Sequence, residues 1–173
     1  MKPTFWQRLR RIGRHLWTDD ADLARALPPD LLDRIAQRVA RSEHQHAGEI
    51  RIHAEAGLPL SYLWRDAAPR ERALTLFGKL RVWDTEHNNG VLIYLLLAER
   101  AIEVVADRGL ARHVPQEAWQ ALVAHLARDF REGRYEPGLL HAVEDVSALL
   151  ARHFPRAAGQ PARNELPDRP TLG

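Results

Sequence analysis

The chain begins with apolar residues that recur every three or four positions. Phe5, Leu9, Ile12 and Leu16 follow this spacing within residues 3–17, with arginines and tryptophans between them. The pattern predicts a short basic amphipathic helix. Two uses of its apolar stripe stay open, namely packing on the rest of the domain or contact with a membrane surface or a partner.

The period changes at Glu49, where apolar and charged residues begin to alternate. Ile50, Ile52 and Ala54 are separated by charged or ionisable side chains as far as Glu55. Because successive side chains of a strand point to opposite faces, this alternation predicts a strand with one buried and one polar face.

Residues 90–98 read GVLIYLLLA and have no polar face. This composition predicts a central strand that is covered on both sides. The apolar segment 101–106 follows after only Glu99 and Arg100, so these two strands should form an antiparallel hairpin. The strand, helix and strand before the hairpin should form a right-handed parallel crossover.

Four further helices are predicted from apolar stripes that begin close to a proline. Pro29, Pro69 and Pro115 each stand at the start of such a stripe, and Pro137 lies in the first turn of the last one, which runs to Phe154. Proline suits the first turn of a helix because the amide hydrogen that it lacks would have no partner there.

Length and composition favour one α/β domain. A chain of 173 residues with 45% hydrophobic content supports a single buried core. We assign residues 1–18 to the basic amphipathic helix and residues 19–155 to the α/β domain. Residues 156–173 contain prolines and glycines and few apolar side chains, which predicts a disordered tail.

Charge and residue types narrow the possible functions. The 25 Lys and Arg nearly balance the 23 Asp and Glu, which leaves a formal net charge of +2, so we expect no nucleic-acid partner. The absence of cysteine excludes disulfides and thiolate catalysis. The longest apolar run is shorter than the ~20 residues that span a bilayer, and arginines interrupt the N-terminal stretch where a signal peptide would be apolar. We therefore expect a cytoplasmic protein, either free or peripheral to the membrane.

The predicted strand directions bring polar residues from three segments to one edge of the sheet. The first and second strands start at this edge and the third strand ends there. Carboxylate and amide oxygens are the ligands that Ca²⁺ and Mg²⁺ take, so the sequence predicts a divalent-cation site. The candidate ligands are Asp84, Glu86, Asn88, Asn89 and Asp107, with Arg108 placed to meet an anion and Glu49 and Glu43 as supporting residues.

Other uses of the same residues stay open. The run Asn88, Asn89 and Gly90 also suits a turn that needs a positive φ, and Asp107 and Arg108 also suit a turn or a surface ion pair. No serine or threonine has an activating base that the sequence reveals, and a glycine-rich phosphate loop is absent. No catalytic residue is therefore assigned.

Three segments together resemble the TPM domain family, the group that includes thylakoid lumen and photosystem repair relatives. They are HNNGVLIYL at residues 87–95, IEVVADRGL at 102–110, and FREGRY at 130–135 followed by Gly138 and Leu139. The likeness runs from Asp84 to Phe154, and a looser likeness extends back to about Leu27.

The resemblance implies an α/β/α sandwich, with a small mixed sheet of three or four strands and helices on both faces. It also implies a divalent-cation site and, in some relatives, acid phosphatase activity. Asn88 stands where the family usually has Asp, so the missing charge would come from Asp84 or Glu86. The segment RVWDTEHNNG at residues 81–90 resembles a short cytoplasmic bacterial subgroup, without the membrane anchor or glycine-rich tail of many members.

Two functions of different classes follow. The leading hypothesis is a small cation-binding TPM-like domain that is a weak, metal-assisted hydrolase of phosphomonoesters. The alternative is a non-catalytic interaction or accessory module, which docks on a membrane surface or a membrane protein through residues 3–17. The resemblance points to LemA-type proteins as such a partner.

Overall fold

The computed structural model describes residues 4–157 and 164–173, which form a mixed sheet with helices packed on both faces. The predicted α/β class is confirmed. The strands are β1 (Glu49–Glu55), β2 (Gly90–Leu96), β3 (Ala101–Ala106) and β4 (Thr171–Leu172). The α-helices are α1 (Phe5–Trp17), α2 (Asp20–Ala26), α3 (Pro29–Ser42), α4 (Leu60–Trp64), α5 (Pro69–Lys79), α6 (Arg108–Ala111), α7 (Gln116–Arg131) and α8 (Tyr135–His153).

The sheet has the strand order β3-β2-β1-β4. β1 runs parallel to β2, with Glu49 opposite Gly90, and β2 pairs antiparallel with β3. Both pairings confirm the sequence predictions. A short 3-10 helix over Leu97–Glu99 makes the turn between β2 and β3.

Local sequence explains where several helices begin. Thr4 and Asp19 each form a capping box, in which the cap side chain accepts from a backbone N–H of the first turn and a side chain there accepts in return. Pro29 and Pro69 are the first residues of α3 and α5, and Pro115 is the cap residue before α7. At these positions the amide hydrogen that proline lacks is not needed for a hydrogen bond within the helix.

Two apolar cores lie on opposite faces of the sheet. Alternate residues of β2 separate between them, because Val91 and Ile93 join one core while Leu92 and Tyr94 join the other. The first core also contains residues of α2, α3, α7 and α8, and the second contains residues of α4, α5 and Leu166. The prediction that β2 is covered on both sides is confirmed.

The prediction of an exposed polar face for β1 is wrong. Glu49, Arg51, His53 and Glu55 are all buried. Residues 164–173 contact the first three of them, whereas Arg72 of α5 and Tyr94 bind Glu55. Arg51 and His53 of β1 form hydrogen bonds with residues 164–173. Within this segment, β4 pairs with β1 and adds two residues to the edge of the sheet.

The prediction of a disordered tail over 156–173 is therefore corrected for residues 164–173. Arg51 donates hydrogen bonds to the carbonyl oxygens of Pro167 and Arg169 at 2.7 and 3.0 Å. The N–H of Leu166 donates to the carboxylate of Glu49 at 3.1 Å. Few apolar residues are needed here because polar side chains of β1 hold the segment. Residues 158–163 lie outside the described residues.

No helix in the described ranges is both long enough and apolar enough to cross a bilayer.

Candidate functional site

The predicted edge of the sheet exists as the strand directions require. β1 and β2 start there as register partners, and the N–H of Asp107, just after β3, donates to the carbonyl oxygen of Gly90 at 2.9 Å. The side-chain amide of Asn89 donates to the carbonyl oxygen of Ala47, just before β1, at 2.9 Å. Asn89, Asp107 and Glu49 thus belong to one edge.

Asp107 is buried and half satisfied. Its Oδ1 accepts a hydrogen bond from the N–H of Arg108 at 2.6 Å, which caps the short helix α6. Its Oδ2 is buried without a hydrogen-bond partner among the described residues. A buried carboxylate oxygen without a partner is rare in folded proteins, because the loss of hydration is not compensated.

Asp84 and Glu86 do not join Asp107. Asp84 is exposed and pairs with Arg81 at 2.5 Å, and the side chain of Glu86 is exposed, with its backbone N–H bonded to Glu165. Across residues 4–157 and 164–173, no three acidic or histidine side chains are close enough to hold a metal ion together.

Asn88 serves the turn that was the alternative to a metal ligand. Its φ is 52°, in the left-handed region that asparagine tolerates better than most residues. Its carbonyl oxygen accepts a hydrogen bond from Gly109 at 2.9 Å, which joins the turn to α6. Asn88 thus shapes the turn through its backbone, and its side chain is exposed.

Glu43 and Glu49 are both buried near this edge, and their pKa values are raised. Burial raises the pKa of Glu43 to about 8, and the charge of Glu49 adds to the effect. Burial raises the pKa of Glu49 to about 7, against the opposing hydrogen bond from Leu166. Oε1 of Glu43 has no partner in the described part of the chain. Near neutral pH Glu43 is therefore mostly protonated and Glu49 is about half protonated, which makes Glu43 in particular a poor ligand.

Arg108 lines a small cationic cavity outside the same edge. The cavity has a volume of about 340 Å³. Its lining consists of His87, Asn88, Arg108, Gly109 and Arg112. The arginines suit an anion, as predicted for Arg108.

The other prominent surface involves α1, which is held on the domain by its polar side. The Arg11 guanidinium donates to Glu99 at 2.7 Å, to Asp66 at 2.9 Å and to the carbonyl oxygen of Ala67 at 2.6 Å. These contacts satisfy a charge that α1 itself does not balance, because α1 contains no acidic residue.

His15 is the second anchor of α1 and is buried. The N–H of Leu58 donates to Nδ1 of His15 at 3.0 Å, so Nδ1 is the unprotonated nitrogen and Nε2 carries the hydrogen. Nε2 then donates to Oε1 of Glu99, 2.8 Å away. Of the apolar stripe, Ile12 alone is packed against a core.

The remaining apolar side chains of α1 face solvent. Their exposed fractions range from 44% to 87%, and two apolar residues of α4 are exposed by 64% and 83%. We call this surface the α1/α4 face. Its members are Phe5, Trp6, Leu9, Leu16 and Trp17 on α1, with Leu60 and Trp64 on α4.

Two contacts join the helices of the α1/α4 face. Arg8 donates to the carbonyl oxygen of Trp64 at 2.8 Å, and Ile12, Leu60 and Trp64 line one apolar depression of about 600 Å³. Seven of the ten large apolar side chains that are exposed in the described ranges belong to this face. Such a concentration is typical of interaction surfaces, since exposed apolar residues are otherwise scattered singly.

Arginines border the α1/α4 face. Trp6, Arg10, Arg14 and Trp17 follow one another at intervals of four, four and three residues, so they form a single row along α1. Neither Arg10 nor Arg14 is paired with a carboxylate within the described residues. The sequence predicted the helix and its two sides. It did not reveal that the apolar side points outward, although the lack of acidic residues in α1 was a signal that its arginines need distant partners.

Comparisons with known proteins identify the family of this α/β chain. A protein-family model described as TPM domain matches residues 21–149, and the chain belongs to this family. Helix α1 lies before the matched range. No curated protein matches the chain.

The NMR structure of the BA42 protein from the psychrophilic bacterium Bizionia argentinensis sp. nov. is similar to this fold. The two chains are 25% identical and superpose with a TM-score of 0.73. The match covers 85% of this chain and 95% of BA42.

Proposed function

We propose that this TPM domain is a non-catalytic accessory module that docks on an anionic membrane surface through the α1/α4 face. The observation that carries the proposal is the orientation of α1. Arg11 and His15 bind the domain, while the aromatic side of the helix is left in water.

The composition of the α1/α4 face favours a lipid surface. Tryptophan and phenylalanine beside arginine are typical of helices that lie in the interface of a membrane, where the rings enter the acyl boundary and the guanidinium groups meet the lipid phosphates. Full burial of a large apolar side chain contributes about 1.5–3 kcal/mol, and each basic residue near an anionic surface about 1 kcal/mol. A few such residues suffice for reversible binding.

The test is co-sedimentation with vesicles of phosphatidylcholine that contain phosphatidylglycerol. We expect the wild type to bind, its tryptophan emission to shift to the blue, and Trp17→Ser with Trp64→Ser to weaken binding at least tenfold. Trp83→Ser is the matched control, because Trp83 is also exposed but lies outside the face. It should bind like the wild type.

Other occupants of the α1/α4 face would give different results. Equal binding to vesicles with and without phosphatidylglycerol would show that the arginines do not contribute to binding through the charge of the lipid. Failure to bind any vesicle, together with capture of a purified LemA-type membrane protein that the Trp17 and Trp64 substitutions abolish, would replace the lipid by a protein partner.

The unpartnered oxygen of Asp107 favours a second candidate function, a divalent-cation site at the sheet edge. Asp107 would hold a Ca²⁺ or Mg²⁺ ion there with amide oxygens of Asn88 and Asn89, beside the arginine-lined cavity. Such an ion would polarise the phosphoryl oxygen of a phosphomonoester and favour its hydrolysis by water. Arg108 would bind the same phosphoryl group.

A metal titration tests this second candidate. After chelation, Ca²⁺ and Mg²⁺ are added and the melting temperature is measured, because an ion that binds the folded state alone must raise it. We expect a saturable rise that Asp107→Asn abolishes, since asparagine keeps the cap of α6 but removes the charge. Asp84→Asn is the control and should keep the rise. If neither ion raises the melting temperature of the wild type, the cation site is rejected and the accessory module remains as the proposed function.

A further inference from the structure

A groove lies next to the C-terminal end of α1, at the opposite edge of the sheet from Asp107. It has a volume of about 680 Å³ and is formed by α1, α2, the turn between β2 and β3, and the start of α8. Three arginines and a tyrosine line it above an apolar floor of Ala26, Leu97 and Ala98. They are Arg14, Arg25, Arg100 and Tyr135.

The positive charge of this groove is not balanced within the described chain. Glu99 also lines it, but Oε1 of Glu99 already accepts from Arg11 and His15. Asp22 is paired with Arg25 at 2.5 Å. Arg14 and Arg100 have no carboxylate partner among the described residues, and the three arginines of the lining outnumber its two carboxylates, which leaves a formal charge of +1 for a ligand.

The backbone of Arg100, which lines the groove, is in a strained conformation. Its φ is 48° and its ψ 42°, a left-handed conformation that glycine or asparagine adopts more easily. Its Nη1 donates to the carbonyl oxygen of Arg131 at 2.8 Å, which holds the side chain across the turn without neutralising it. Strain of this kind is kept where the surrounding structure or a function requires the residue.

We propose that this groove binds a phosphate group. The planar guanidinium fork matches two phosphate oxygens, and several arginines around one site are the usual way in which proteins recognise phosphate. The inference rests on the proposed docking function, which it deepens. Arg14 belongs both to the groove and to the row that borders the α1/α4 face, so a lipid phosphate in the groove lies beside the residues that enter the bilayer.

The experiment compares two pairs of substitutions that remove the same charge. Arg25→Gln with Arg100→Gln changes the groove and leaves Arg14 and the α1/α4 face untouched. Arg128→Gln with Arg152→Gln is the control, because both arginines are exposed and lie on α7 and α8, away from the groove. Binding to vesicles that contain phosphatidylglycerol and the melting temperature with added glycerol 3-phosphate are measured for both.

We expect the groove pair to weaken vesicle binding at least tenfold more than the control pair. Equal losses, without a rise in melting temperature on addition of glycerol 3-phosphate, would show that the groove contributes only general charge, and the proposal would fall while docking through the α1/α4 face stands. A single Arg25→Gln variant provides a second test in case the double variant misfolds, because the Arg25 side chain is 76% exposed. It should weaken vesicle binding about threefold, and no change would count against the groove.

Glycerol 3-phosphate separates the two sources of phosphate. A rise in melting temperature that the groove pair abolishes would assign the groove to a soluble phosphate compound, and would stand even if no variant binds vesicles. No rise, with a selective loss of vesicle binding in the groove pair, would assign it to a lipid headgroup. Neither effect in the wild type would overturn the proposal.

Discussion

Nε2 of His15 lies 2.8 Å from Oε1 of Glu99, and this contact decides which side of α1 faces the domain. The same oxygen accepts from Nε of Arg11, so one carboxylate holds two residues of the helix. Without that carboxylate, the buried imidazole would lose its acceptor, and the guanidinium would keep only Asp66 and the carbonyl oxygen of Ala67.

The first prediction follows from this arrangement. Glu99→Ala should lower the free energy of unfolding by about 2 kcal/mol, because the buried partners lose their acceptor. Urea denaturation measures the change. Glu144→Ala removes a carboxylate from an exposed pair with Arg38 and should change stability by less than about 0.5 kcal/mol. Similar losses in both variants would contradict a special role for Glu99.

The second prediction concerns the buried carboxyl group of Glu43. Its pKa is about 8 in the folded chain, mainly because of burial, and about 4.5 in the unfolded chain. Between these values the folded state binds the extra proton, so the contribution of Glu43 to stability falls as the pH rises from about 4.5 to 8. Each unit of pKa difference corresponds to about 1.4 kcal/mol at most.

Glu43→Gln should remove this part of the pH dependence. The variant keeps the shape and the neutral state, so it should match the wild type near pH 5 and exceed it in stability near pH 8.5. Chemical denaturation at several pH values measures both curves. Glu144→Gln serves as the exposed control. Parallel curves for the wild type and Glu43→Gln would show that Glu43 is not protonated in the fold.

The third prediction concerns a buried ion pair between β1 and α5. Arg72 binds Glu55 at 2.5 Å, and the hydroxyl of Tyr94 donates to the same carboxylate at 2.8 Å. Burial alone would raise the pKa of Glu55, but contacts with His53, Arg72 and Tyr94 outweigh it and lower the pKa to about 2. The stabilisation is therefore present above about pH 4.5 and is lost as the pH falls towards 2.

Arg72→Gln should destabilise the fold by about 3 kcal/mol at pH 7, because it leaves a buried carboxylate without its cation. The difference from the wild type should shrink as the pH falls from 4.5 to about 2, where Glu55 becomes protonated in both proteins. Arg38→Gln is the exposed control. A difference that is constant over this pH range would rule out an electrostatic origin.

The fourth prediction concerns the start of β2. A Cβ atom on Gly90 would lie 2.1 Å from the carbonyl oxygen of Val82, which is backbone and has no flexible end to move. Gly90→Ala should therefore cost about 1–3 kcal/mol. Gly78→Ala is the contrast, because a Cβ there meets nothing within 4 Å and alanine favours the helix. It should leave stability unchanged or raise it by up to ~1 kcal/mol.

Periodicity predicted most of the regular structure. β2 and β3 were predictable because a fully apolar run and a two-residue gap leave few alternatives, and the helices begin near their prolines. The burial of the polar face of β1 was not predictable. The alternating sequence pattern is the same whether water or residues 164–173 cover the charged side chains. That covering depends on contacts of Arg51 with residues 116 and 118 positions away.

The candidate site was predictable only to the level of the sheet edge. Strand direction placed Asn89 and Asp107 there, because it is a property of the topology. The direction of the Asp84 side chain depends on which local interaction is available to it, and in the structure it forms an exposed ion pair with Arg81 instead of approaching Asp107. The orientation of α1 was equally hidden, because its acidic partner Glu99 lies 84 positions beyond His15.

The two groups of arginines on α1 differ in how they respond to ionic strength. Arg11 is mostly buried against Glu99, whereas Arg10 and Arg14 are surrounded by solvent. At 1 M salt the screening length is about 3 Å, so attraction between exposed charges almost vanishes while buried pairs are screened much less. Concentrated salt should therefore release the protein from a charged bilayer without releasing α1 from its own domain, which would make attachment reversible with the helix already folded and aimed for the next encounter.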